Sequence, residues 1–349
     1  PICGKHLTPP VPCKWQNSTW NPVLYTMPDG EVLLFYKTGP HPSEWQGFLM
    51  RSPDKGVTWS APSPLPVMGP AKHKPIMLPS GVLLAGSSTE SGKASEKRLW
   101  QCWVDESPDG GRTWKRHGPI PFDGNIIQPS LWLGDDMAVH LLARTATDYD
   151  KNGKRADPVK NKKEMIYRGA QYLIHAKSSD KGGTQWTSPG KPVFDLPSPN
   201  AAGDVVKLRD GRLLVIYNHS RERKALGRST LLLSLSEDGG VSWKVVLELE
   251  DGPPNDVTQE YSYPSIIQAF DTGLVHITYT HRRRNIKHVI VDPLLLRPLP
   301  GKKFGKEFSG VKGHYASGVL SASMHHIDEA QQPSGGKKDK GSKGGRSAS

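Results

Sequence analysis

Apolar residues run through this chain in short stretches broken by Gly, Asp and Pro rather than in long amphipathic periods. One stretch, "NPVLYTMPDGEVLLFYK" at 21–37, is two apolar runs around a Gly turn, and "GFLMRSPDKGVTWS" at 47–60 adds a third run that ends in a polar turn. The same order returns in "KPIMLPSGVLLAGSS" with "LWQCWVDESPDGGRTWK", in "QPSLWLGDDMAVHLLART" with "YLIHAKSSDKGGTQWT", and in "GDVVKLRDGRLLVIYN" with "LLLSLSEDGGVSWKVV". A fifth copy, "YPSIIQAFDTGLVHITYTHRR" with "IKHVIVD", keeps the runs and loses the polar turn. Alternation within runs such as "VLLFYK" and "LVHITYT" is weak, as in strands buried on both faces. Each unit therefore predicts about four short strands in up-down order, and repetition of such a unit predicts an all-β fold, a β-propeller of four-stranded blades.

The polar turn is "SPDKGVTW" at 52, "SPDGGRTW" at 107, "SEDGGVSW" at 236 and, one residue longer, "SSDKGGTQW" at 178. Its Asp is suited to accept backbone N–H bonds inside a hairpin turn. Its Gly supplies a positive φ, and its Trp folds back to bury the ring against the blade. All three roles are structural, so the motif specifies fold rather than chemistry.

Composition agrees with many tight turns: 36 Gly and 31 Pro in 349 residues, with 35% hydrophobic. No apolar run is long enough to span a bilayer. The chain opens on "PICGKHL" without an initiator Met, so an incomplete start is expected, and secretion or an organellar lumen both stay open. Cys3, Cys13 and Cys102 show no metal-ligand spacing and make no disulfide framework, although one Cys3–Cys13 bridge stays open. No metal or other cofactor is expected. The formal charge of +12 is concentrated in a Gly/Ser/Lys-rich tail at 336–349 and a basic insertion at 148–170, which reads as solvated charge; no recognition motif or interleaved aromatics argue for nucleic acid. The chain divides into a partial N-terminal segment (1–18), the propeller (19–300), an extension (301–328) and a disordered tail (329–349), and a monomer is expected.

Four Ser-x-Asp-x-Gly-x-x-Trp turns in a propeller resemble the Asp boxes of the sialidase (neuraminidase) superfamily, in its BNR-repeat branch. "WNPVLY", "GPAKHKPIMLPSG", "IIQPSLW", "LLART", "LPSPNAAGDVVKLRDGRLLVIYNH", "EYSYPSIIQ" and "HITYTHRR" carry the likeness over roughly residues 20 to 292. The resemblance implies the six-bladed sialidase type. Five units are visible here, so the first blade is expected to be truncated.

Residues that open the channel-lining strands are the candidates for chemistry: Asn21, Lys74, Gln128, Asp204 and Tyr263, with Glu260 and Tyr261 just before the last. Arg144, Asn218 and Arg282 to Arg284 close the strands that follow. Such fixed polar groups suit hydroxyls and carboxylates of a sugar, while Asn21, Gln128 and Asp204 also fit a reading as buried caps between blades. His73, His140 and His276 read as core or surface residues. The resemblance implies a Tyr nucleophile assisted by an acid, and an arginine triad that binds the substrate carboxylate. "EYSYP" then points to Tyr261, with Tyr263 as second choice and Glu260 beside them. Asp204 stands where the family has Glu, and Asn218 where it has one triad Arg. Lys74, Arg144 and Arg283 are left to bind the anion. The expected activity is release of a terminal acidic sugar, sialic acid or a relative, from a glycan or acidic oligosaccharide. The alternatives are a non-catalytic carbohydrate-binding propeller and a uronic-acid polysaccharide hydrolase or lyase.

Overall fold

The computed structural model describes residues 18–91, 99–146, 172–220, 227–252 and 258–299, and the backbone of 319–326. These residues form five four-stranded antiparallel sheets, each a meander in chain order. Blade 1 holds β1 (Thr19–Thr26), β2 (Val32–Thr38), β3 (Gln46–Ser52) and β4 (Ser63–Pro64). Blade 2 holds β5 (Ile76–Met77), β6 (Leu83–Ser91), β7 (Leu99–Ser107) and β8 (Lys115–His117). Blade 3 holds β9 (Ile126–Leu133), β10 (Val139–Thr145), β11 (Tyr172–Lys177) and β12 (Lys191–Pro197). Blade 4 holds β13 (Asp204–Lys207), β14 (Leu213–Tyr217), β15 (Thr230–Ser236) and β16 (Lys244–Asp251). Blade 5 holds β17 (Tyr261–Gln268), β18 (Val275–His281), β19 (Asn285–Val291) and β20 (Val319–His326).

Two expectations change here. Among the described residues there are five blades where the six-bladed type implies six; blade 1, the unit with "NPVLY", has four strands, the last only two residues long, and the segment ahead of it, where a truncated blade is expected, lies outside the described residues. The fourth strand of blade 5 comes from within the segment read as a C-terminal extension. The basic insertion, the N-terminal cysteines and the Lys-rich tail lie outside the described residues.

Burial follows the weak alternation, because the blades use both faces. Val23, Leu33, Phe35, Leu49 and Leu83 close blade 1 on blade 2, and Leu84, Val104, Leu131 and Leu141 close blade 2 on blade 3. Trp132, Leu173, Val215 and Trp243 join blades 3 and 4, and Leu214, Leu233, Ile266 and Ile277 join blades 4 and 5. Four apolar clusters thus link five blades, and among the described residues none links blade 5 back to blade 1. The faces on either side of that opening leave Leu24 60% and Ile267 47% exposed.

The Asp boxes connect the third and fourth strands of blades 1 to 4, as the sequence predicts. In the first, Asp54 Oδ1 accepts from Thr58 N at 2.8 Å and from Ser52 Oγ at 2.8 Å, while Trp59 Nε1 donates to Gly56 O at 3.0 Å. Asp238 and Trp243 repeat these bonds with Ser242, Ser236 and Gly240, whose φ of 99° suits Gly. Trp243 is buried against blade 3, so Trp243→Ala should cost about 3–5 kcal/mol through the cavity left behind. A denaturant midpoint equal to that of the wild type would contradict this packing role.

Candidate functional site

Three innermost strands share a local device. Asn21, Gln128 and Tyr263 each precede a proline and each have a left-handed backbone, with φ of 46°, 55° and 53°. Each sits where strand register shifts: between Trp20 and Val23, opposite the Leu142/Arg144 step, and between Ser262 and Ser265. Proline has no N–H to give the ladder, so a bulge accommodates it, and a bulge re-aims the side chain beside it. Left-handed φ at a non-glycine residue costs roughly 1–3 kcal/mol and persists only where the surroundings enforce it. Asn200, Arg282 and Arg283 are left-handed too, with φ of 57°, 54° and 56°.

Hydrogen bonds tie these residues together. Arg144 at the end of β10 donates Nε to Asn200 Oδ1 at 2.6 Å and Nη1 to Gln128 Oε1 at 3.2 Å, with its guanidinium 5.9 Å from the Trp100 ring. Arg228, just before β15, donates Nη1 to Glu260 Oε1 at 3.1 Å and Nη2 to Asn200 O at 3.2 Å. Its guanidinium also lies 5.3 Å from the centre of the Tyr263 ring. Arg283, in the turn between β18 and β19, donates Nε to Glu260 Oε2 at 2.6 Å, and its side chain is 72% exposed. Ser262 Oγ donates to Glu260 Oε1 at 2.8 Å and Arg282 N to Glu260 O at 2.8 Å, so Glu260 is held by four donors. Three guanidinium groups from blades 3, 4 and 5 therefore converge around one buried carboxylate and one half-exposed phenol.

The electrostatics follow. Burial alone would raise the Glu260 carboxyl, but the bonds from Arg283 and Ser262 and the charge of Arg228 together hold it below the usual carboxylate range. Burial would likewise raise the Tyr263 phenol, yet Arg228 and Arg144 outweigh it and leave the phenol more acidic than a free tyrosine. Burial and the repulsion of Arg228 lower Arg144 to about 10, so it stays charged at neutral pH. Asn21 donates Nδ2 to Ala71 O at 3.0 Å and shares a shallow cleft with Gln128, Glu90 and Trp45, next to the arginine cluster.

A family model described as a BNR repeat-like domain matches residues 8–157 and 158–277. The chain belongs to the BNR repeat-like family. Solved structures to which this BNR-repeat protein is similar include the Hadza microbial sialidase Hz136, at 20% identity and a TM-score of 0.55 over 76% of this chain and 51% of that one. A protein of unknown function from Dyadobacter fermentans is 14% identical, with a TM-score of 0.52 over 88% and 76% of the two chains. Trypanosoma rangeli sialidase is 13% identical, with a TM-score of 0.51 over 77% and 43%. The BNR-repeat protein thus spans about half the length of the first of these, and at such identities the likeness is one of fold: a sialidase-type propeller. No curated protein is significantly similar to it in sequence.

Of the residues singled out from sequence, the fold brings together Glu260, Tyr263, Arg144, Gln128 and Arg283. It does not join Tyr261 to Asp204. Tyr261 is 3% exposed in the apolar cluster between blades 4 and 5, and its hydroxyl donates to Gln259 Oε1 at 2.6 Å. The bulge explains the split: two residues apart in a regular strand, Tyr261 and Tyr263 would share a face, and the register break between Ser262 and Ser265 turns Tyr263 outward. Asp204 is fully buried and saturated: Lys74 Nζ reaches both its oxygens at 3.1 Å, Ser130 Oγ donates at 2.6 Å and Ile266 N at 3.0 Å. It is a cap joining blades 2, 3, 4 and 5, the structural role weighed for it in the sequence. Lys74 is spent on this pair and on Val205 O at 2.9 Å. Asn218 is a buried tie, donating Nδ2 to Tyr261 O at 2.7 Å and Thr230 O at 2.9 Å. Arg228, Asn200 and Lys72 were not singled out from sequence. Arg228 ends a basic stretch, "RERKALGR", whose three arginines look alike in sequence. Among the described residues no group of three or more His, Cys, Asp or Glu could hold a metal, and no helix is long and apolar enough to cross a membrane.

Proposed function

We propose that this protein is a sialidase-like exo-glycosidase that releases a terminal acidic sugar from a glycan. The observation that carries the reading is the convergence of Arg144, Arg228 and Arg283 on Tyr263 and Glu260. A guanidinium fork matches a carboxylate bidentately, and three forks from separate blades suit a sugar that carries its carboxylate on the anomeric carbon. An attacking carboxylate would meet like charge at such a carbon, whereas a phenol does not. Tyr263, made more acidic by Arg228 and Arg144, gives its phenolic proton to solvent and attacks the anomeric carbon; the glycosidic bond breaks and the departing glycan oxygen takes a proton from water, and a further water then displaces the sugar from Tyr263 with retained configuration. Glu260 holds Arg228 and Arg283 in place beside it.

The anion-binding role has its own test. Arg228→Met should weaken binding of the acidic sugar about 10- to 100-fold, the worth of one charged hydrogen bond pair. Calorimetry with the free sugar and KM for a fluorogenic glycoside both read it. Equal affinity in wild type and variant would remove Arg228 from the site.

A second reading, a carbohydrate-binding propeller without turnover, is favoured by one observation: Asp204 and Glu260, the two carboxylates offered as acid partners of the tyrosine, are already engaged by several donors. Binding of an acidic glycan with no release in a glycan screen would select it. Products absorbing in the near ultraviolet would instead point to elimination from a uronic-acid polymer.

A further inference from the structure

Lys72 lies between β4 and β5 in the segment "AKHK", two residues before the lysine that pairs with Asp204. Its neighbour Ala71 is fixed by two bonds, its N–H to Gly86 O at 2.8 Å and its carbonyl to Asn21 Nδ2 at 3.0 Å. From this anchored base the Lys72 side chain reaches blade 5, where Nζ donates to Pro264 O at 2.7 Å and lies 6.0 Å from the centre of the Tyr263 ring. Pro264 follows the left-handed Tyr263, and the register of β17 on β18 breaks between Ser262 and Ser265, so the ladder takes up neither residue. The Pro264 carbonyl would otherwise be a partly buried acceptor without a ladder partner, and such groups need one. Lys72 supplies it at the residue whose conformation aims Tyr263.

We infer that Lys72 is a positioning residue for Tyr263, clamping the Tyr263–Pro264 bulge through Pro264 O so that the phenol stays beside Arg228 and Arg144. The inference rests on the reading of Tyr263 as the reacting group. The groups facing Lys72 are Asp204 and Lys74 from the buried pair, Arg144 from blade 3 and Tyr263 from blade 5, with Arg228 and Glu260 on the far partners of Tyr263. Burial lowers the Lys72 amine to about 8; Asp204 opposes that fall, while Lys74 and Arg144 add to it. The neutral amine still donates to Pro264 O, so the clamp holds on both sides of that pH.

The test uses the full chain and a readout independent of turnover. Near-ultraviolet titration of the protein minus its Tyr263→Phe variant isolates the ionisation of Tyr263. Lys72→Met frees the Pro264 carbonyl, so Tyr263 should swing away from Arg228 and Arg144 and its midpoint should rise toward that of a free tyrosine. With an acidic fluorogenic glycoside, the same variant should lower kcat at least tenfold with KM within about twofold, since ground-state binding by the arginines is retained. Lys72→Arg keeps the bond, so it should restore kcat. Should Lys72→Met not fold, Lys72→Ala carries the same titration prediction, and Lys72→Gln, which keeps a donor for Pro264 O, should leave the midpoint near the wild-type value. An unmoved midpoint in either donor-free variant overturns the inference. If the wild type releases no sugar, the enzymatic reading falls on its own, and the titration still decides the role of Lys72.

Discussion

Tyr263→Phe should abolish release of the acidic sugar, by on the order of 10³-fold or more in kcat, while Tyr261→Phe leaves it within a few-fold. The two tyrosines are two residues apart, and the pair of variants separates them by environment alone. Tyr263 is 43% exposed, flanked by Arg228 and Arg144, and carries a phenol made more acidic by them. Tyr261 is buried between blades, and its hydroxyl donates to Gln259. Removing the Tyr261 hydroxyl should cost about 1 kcal/mol of stability through one lost hydrogen bond. Binding of the sugar by Tyr263→Phe should survive, because the guanidinium groups remain. Kinetics of both variants beside a binding isotherm check this, and loss of activity in Tyr261→Phe alone would return the chemistry to the other tyrosine.

Asp204→Asn should be the most destabilising single substitution in the channel, at roughly 3–5 kcal/mol. An amide in that position turns one acceptor into a donor facing Ser130, Ile266 N–H and Lys74, and it leaves the Lys74 ammonium without its counter-charge. Because the carboxylate on blade 4 is bonded from three other blades, its loss should loosen several blades at once rather than one strand. A urea midpoint indistinguishable from wild type would contradict this. The pH dependence is separable. Burial would raise the Asp204 carboxyl, but the charges of Lys74 and His73 hold it far below its usual range, so its contribution is complete above about 4 and is lost only in stronger acid. His73 is the opposite case. Burial and Lys72 depress its imidazole from 6.5 to about 4, so stability from its neutral form is present above 6.5 and drains away as pH falls toward 4. The wild-type urea midpoint should therefore decline across that window, and Asp204→Asn should start lower with a similar slope.

The architecture was legible because repetition is a strong signal. Five copies of one strand pattern, four closed by an Asp-Gly-Trp turn, leave little choice but blades, and the turns fold as their residues require. Strand order within each unit also followed from the chain. Blade number did not: the expectation of six came from resemblance, whereas the apolar faces of β1 and β17 show where five blades stop packing on one another. The cluster proposed as the site was partly legible by position: among the residues that open or close inner strands, Gln128, Glu260, Tyr263, Arg144 and Arg283 are brought together by the fold. What sequence lacked was the direction each one faces. A pre-proline bulge at Tyr263 breaks the alternation that would otherwise put Tyr261 and Tyr263 on one face. A polar residue at a strand start also reads the same whether it joins the arginine cluster, as Gln128 does beside Arg144, or seals blades together, as Asp204 does. Arg228 and Lys72 act across blades, at sequence separations of 32 from Glu260 and 192 from Pro264, and no local pattern encodes such pairs.

The account turns on Tyr263 as the group that attacks the sugar. Incubation with a 2,3-difluoro acidic sugar, whose fluorines slow hydrolysis of a covalent glycosyl-enzyme, followed by peptide mass spectrometry, tests this directly. The account predicts one added sugar, on the peptide "EYSYPSIIQ", assigned by fragmentation to Tyr263 and absent from Tyr263→Phe. An adduct on Tyr261, or no adduct in a protein that binds the sugar, would contradict it.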